Sequence, residues 1–96
     1  MSMPPLDEQV LNAFCEDLRT RFALISQHHR TAKPDGVIEQ AHMLAGSAAY
    51  CQALEIERCA REVMHASDTG LRAGSLERLR DAVNNYLRAQ GRPQLG

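Results

Sequence analysis

The sequence contains no tryptophan and only two phenylalanines and two tyrosines, so aromatic side chains cannot dominate its core. It also lacks an excess of either charge. Eleven Lys and Arg residues balance twelve Asp and Glu, for a formal net charge of −1. A nucleic-acid-binding domain normally carries a basic stripe, so no nucleic acid is expected as a partner. No apolar run approaches the roughly 18–20 residues that span a bilayer, and no direct membrane contact is expected. The opening Met1-Ser2-Met3-Pro4-Pro5 lacks the apolar stretch of a signal peptide. The three cysteines, Cys15, Cys51 and Cys59, are odd in number and form no CxxC or CxxxC pair. They read as small buried hydrophobes in a reducing compartment, and a cytoplasmic location is expected. The four histidines show no HxxxH or HxxE spacing, so no metal site is assigned. No nucleophile–base pair stands out either, and an enzyme is not expected.

What the chain does contain is helical periodicity. Ninety-six residues suffice for one small domain with one core. Breaks at Thr31-Ala32-Lys33-Pro34-Asp35-Gly36, near Cys51-Gln52 and at Ser67-Asp68-Thr69-Gly70 cut it into four segments. The spacing predicts helices over about 6–29, 35–50, 53–67 and 71–90. In the first, Leu6, Val10, Phe14, Leu18 and Phe22 recur every four residues. Asp7 and Glu8 suit its positive end, and His28, His29 and Arg30 its negative end. In the second, Val37, Ala41, Leu44, Ala48 and Cys51 form a narrow apolar stripe. The third turns Ala53, Ile56, Ala60 and Val63 inward, flanked by Cys59 and Met64. The fourth buries Leu76, Leu79, Val83, Tyr86 and Leu87 before Gly91 and Pro93 stop it. Nothing alternates with period two. The fold class is therefore all-α, an antiparallel up-down four-helix bundle with short connections.

Within the second helix one residue breaks the pattern. At about 100° per residue, His42 lies roughly 120° from the centre of the apolar stripe, on the rim of the helix. Gly46 follows one turn along, although glycine inside a helix costs roughly 1 kcal/mol against alanine. Ala45, Ala49 and Ile38 surround the histidine with small or apolar side chains. A merely solvated face would carry Glu, Lys and Arg there. An exposed nucleophile on an apolar apron has the character of a docking surface, with Ile38 and Ala49 as its candidate contacts.

The run His42-Met43-Leu44-Ala45-Gly46-Ser47-Ala48 resembles the His-x-Leu-Lys-Gly-Ser-Ala signature of histidine-containing phosphotransfer (HPt) domains. It is identical at His42, Leu44, Gly46, Ser47 and Ala48, and the similarity continues through Ala53, Ile56, Ala60 and Val63. The resemblance implies a phosphorelay intermediate of two-component signalling. His42 would accept a phosphoryl group from the aspartate of one response-regulator receiver domain and pass it to another. Neutral imidazole is a good nucleophile near neutral pH, which suits the role. It further implies that the chain brings no cofactor, the receiver supplying Mg²⁺ and a lysine. The module would work as a monomer. The abrupt start favours a module cut from a hybrid sensor histidine kinase, on the cytoplasmic side of a membrane.

Three positions depart from the family pattern. The signature lysine is Ala45 here, the corner glycine is Gln52, and the Gln or Glu that often bonds the imidazole from the next helix is Met64. Two antiparallel helices turning near residue 52 bring the low sixties level with His42, and Arg61 shares a flank with Met64. Arg61 is therefore the candidate replacement cation, ahead of His65, with His28 and His29 as helix-terminal charges. An alternative reading is a helical adaptor of the same fold that binds receiver or kinase partners without carrying phosphate.

Overall fold

The computed structural model describes residues 7–96. Four helices follow in order: α1 Glu8–Arg30, α2 Pro34–Tyr50, α3 Leu54–His65 and α4 Thr69–Ala89. Each lies within two residues of its expected bounds, and Leu6 of the expected first helix lies outside the described residues. No strand occurs among the described residues.

The boundaries have local causes. Asp7 caps α1 by accepting a 2.8 Å hydrogen bond from the Gln9 amide, and Asp68 caps α4 by accepting one of 2.8 Å from Leu71. Asp68 moves the start of α4 ahead of the expected Leu71, because its side chain makes the turn at Thr69-Gly70 helical. Pro34 opens α2 in the first turn, where its missing amide hydrogen costs nothing. Two corners use left-handed backbone at non-glycine residues, Ala32 at φ 55° and Gln52 at φ 60°. At Gln52 the Ala53 amide reaches back to the Ala48 carbonyl at 2.8 Å, closing the α2–α3 corner tightly. Helix α4 ends just before Gly91, whose φ of 69° lets the Arg92 amide bond the Leu87 carbonyl at 2.9 Å.

Helices α1 and α3 flank α2, and α4 packs on α3 and closes back more sparsely on α1. The core holds Leu18 and Ile25 of α1, Leu44 of α2, Ile56 and Val63 of α3, and Leu79, Val83 and Leu87 of α4, all essentially without exposure. Burying each such side chain is worth about 1.5–3 kcal/mol. Contacts between α1 and α4 include a Phe14–Tyr86 edge-to-face pair at 5.3 Å and the Arg80 guanidinium 5.1 Å above the Phe22 ring. Near the first corner α1 and α2 approach so closely that a Cβ at Gly36 would sit 2.6 Å from the His28 ring. Any larger residue there would have to push the His28 ring aside.

Candidate functional site

The site grows out of the two faces of α2. Ala41, Leu44, Ala45 and Ala48 are buried and fix the rotation of the helix against the core. That rotation leaves His42, Gly46 and Ala49 exposed on the opposite side. Ile38 is 37% exposed, so a large apolar side chain does stand on this face. The rim position of His42 follows from the stripe, as its spacing predicts. Ala45 is different: at 2% exposure it belongs to the core. A residue there supports the helix and lines no open surface.

Gly46 has open space around it. A Cβ built on it meets no atom within 4 Å. Packing inside the bundle therefore gives no reason for glycine at this position, in contrast to Gly36. On the α1 side of Gly46 runs an open groove of about 570 Å³ lined largely by apolar surface. Its walls are Val10, Ala13, Phe14 and Asp17 of α1 and Gly46, Ser47, Tyr50 and Cys51 at the end of α2. Tyr50 is 81% exposed beside it. The sequence reading placed the docking contacts at Ile38 and Ala49 and missed this groove. Only α1 and α2 together create it, so its signal lies in no single helix.

The neighbouring helix carries the two α3 candidates. Met64 is partly buried and packs against the core. Arg61 is exposed, and its guanidinium is held by Glu57 one turn back, with Nε 3.1 Å and Nη2 2.7 Å from the same carboxylate oxygen. Its charge is thus already engaged. The other arginine of α3, Arg58, bonds Glu55 and Glu62, and holds the Glu55 carboxyl below its ordinary range. On α1, Arg21 lies against Asp17 at 2.9 Å and donates to Gln40 at 2.9 Å, on the opposite flank of α2 from His42. His65 is exposed at the end of α3, and His28 and His29 fall in the last turn of α1.

The cysteines behave as the sequence suggests. Cys15 and Cys59 are buried, Cys51 is half-buried, and all three are free thiols. Burial pushes each thiol above its ordinary value. Among the described residues, no group of three or more His, Cys, Asp or Glu side chains could hold a metal ion. No described helix is long and apolar enough to cross a membrane.

The four-helix bundle thus presents His42 on an outward helix face, beside bare backbone at Gly46 and close to an apolar groove. The model of the Hpt domain family matches residues 9–90, nearly the whole chain, and the protein belongs to that family. Membership implies phosphotransfer in two-component signalling and interaction with response-regulator receiver domains, in modules that carry phosphoryl groups and do not themselves catalyse. No curated protein and no solved structure matches the chain.

Proposed function

We propose that the protein is a phosphorelay intermediate in which His42 takes a phosphoryl group from a receiver-domain aspartate and returns it to the aspartate of a second receiver. The observation that carries this reading is the exposure of His42 on α2, one turn from a glycine that nothing inside the bundle requires. In the forward step an imidazole nitrogen lone pair attacks the phosphorus of the aspartyl phosphate. An N–P bond forms, the P–O bond to the aspartate breaks, and the carboxylate leaves with its electron pair. Reversal on the second receiver regenerates neutral imidazole.

The division of labour follows from what the bundle presents. Phosphoryl transfer needs in-line positioning and neutralisation of charge on the phosphoryl oxygens. This chain supplies the nucleophile, a rigid helix beneath it and room above it. The Mg²⁺ and lysine that neutralise the charge come from the receiver. Gly46 leaves space for the phosphoryl group and the partner's loops, while Ile38, Ala49 and the groove walled by Phe14 and Tyr50 offer apolar contact on either side of the histidine. Arg61 is the cation of this chain that serves the phosphohistidine, exchanging Glu57 for the phosphoryl oxygens. Ala45 and Met64 leave that task to it.

The test is label transfer from a phosphorylated receiver in the presence of Mg²⁺. The wild-type chain acquires an acid-labile, alkali-stable label, and His42→Gln does not. Receiver binding without any label would instead identify a non-phosphorylated adaptor.

A further inference from the structure

Residues 92–95, which have no helical or strand structure, turn back along α4 toward α1 and are tied to both helices. The Leu95 amide donates to Asn84 Oδ1 of α4 at 2.6 Å, and the Leu95 side chain packs against the core. The Arg92 guanidinium reaches Glu8 of α1 at 3.4 Å, and Arg19 of α1 donates to the Pro93 carbonyl. The tail therefore bridges the seam at which α1 and α4 themselves pack sparsely.

Under the tail lies a cavity of about 380 Å³, whose wall joins Asn12, Cys15, Glu16 and Arg19 of α1 to Arg92 and Pro93. Cys15 is only 3% exposed there. The Arg92 guanidinium is close enough to act on both Cys15 and Tyr86, opposing the burial that pushes the thiol and the phenol up. The α1 residues on this wall occupy one flank of the helix. Val10, Ala13, Phe14 and Asp17, which line the groove beside Gly46, occupy the other. The tail thus grips α1 on one side at the level where the groove opens on the opposite side. Its attachments are few, and Pro93 and Gln94 are exposed. Such a segment opens at far lower free energy than the bundle unfolds.

We propose that the C-terminal tail, Arg92–Leu95, is a releasable strap that pins the first half of α1 to α4 and so holds the α1 wall of the groove in place. When it detaches, α1 keeps its packing on α2 but loses its ties across the seam. Cys15 is uncovered, and the groove loosens. The strap sets the shape of the groove whatever docks there, so it stands apart from the phosphorelay reading.

The three cysteines of the wild-type chain report on it. Cys15 lies under the strap, Cys51 lines the groove from the α2 end, and Cys59 sits on α3 beside Glu55 and Arg58. Alkylation of the folded full chain by iodoacetamide, read at each cysteine by peptide mass spectrometry, follows the population that is open at that place. Asn84→Ala removes the acceptor of the Leu95 amide, and Leu95→Ala removes the apolar anchor. Each is expected to raise the Cys15 rate by about fivefold, the weight of one net hydrogen bond or one partly buried side chain. Cys51 rises as well, by a smaller factor, and Cys59 keeps its wild-type rate. Equal rises at all three mark a general loss of stability, and a rise at Cys15 alone marks a cover with no hold on the groove. Either result, or unchanged rates throughout, overturns the strap.

Discussion

Gly46→Ala separates what the bundle needs from what the partner needs. Glycine in a helix interior costs about 1 kcal/mol relative to alanine, through the freedom its backbone loses on folding. At Gly46 no opposing steric term exists, since an added Cβ finds nothing within 4 Å. The substitution should therefore stabilise the protein by about 0.5–1 kcal/mol. For a domain of this size that raises Tm by about 2–8 °C, readable by circular dichroism. Phosphotransfer should move the other way. The new methyl stands one turn from His42, where the phosphoryl group and the receiver's loops must pass. A displacement of about 1 Å in such a step costs roughly a hundredfold in rate. The signature is a more stable protein that transfers poorly, a trade found where a site keeps a locally unfavourable residue. A variant that is stabilised and transfers at the wild-type rate would refute the idea that glycine serves the partner. A destabilised variant would refute the reading that the space is open.

Three further outcomes are expected. Glu57→Gln frees Arg61 and should shift the transfer equilibrium toward phosphohistidine by about two- to fivefold, the scale of an exposed ion pair, while Arg61→Ala shifts it the other way; quantified label on the two proteins at equilibrium reads both. Gln52→Gly relieves left-handed backbone at φ 60°; strain there is about 1–2 kcal/mol, partly offset by glycine's own entropy, so urea unfolding should show a gain of about 0.5–1 kcal/mol. The third concerns pH. Burial raises the thiols of Cys15, Cys51 and Cys59 above 9.0 and the Tyr86 phenol above 10.0. Groups whose folded value is raised stabilise fully below the unfolded value, and that stabilisation is lost as pH climbs through the folded one. The urea midpoint should hold steady at neutral pH and fall above pH 9, less steeply in Cys15→Ala/Cys59→Ala.

The helices were legible in the sequence because each buries one stripe, and the stripe alone sets its rotation. Val37, Ala41, Leu44 and Ala48 put His42 outside before any neighbour is considered. Boundaries were less legible, since they depend on single polar contacts: Asp68 starts α4 earlier than its apolar pattern suggests, and Ala66 ends α3 before Ser67. Features made by two helices were not legible at all. The groove beside Gly46 needs Phe14 and Tyr50 side by side, and the contact of His28 with Gly36 needs the α1–α2 corner closed. Arg61 stands between these cases. Its flank could be read from spacing, but its engagement by Glu57 depends on where two flexible side chains come to rest.

The central claim is that His42 itself carries the phosphoryl group. The direct measurement is peptide mapping by tandem mass spectrometry, under neutral to alkaline conditions, after incubation with a phosphorylated receiver and Mg²⁺. The account predicts a single phosphorylated site, on the imidazole of His42. Phosphate found on His28, His29 or His65, or none on a chain that still binds the receiver, would contradict it.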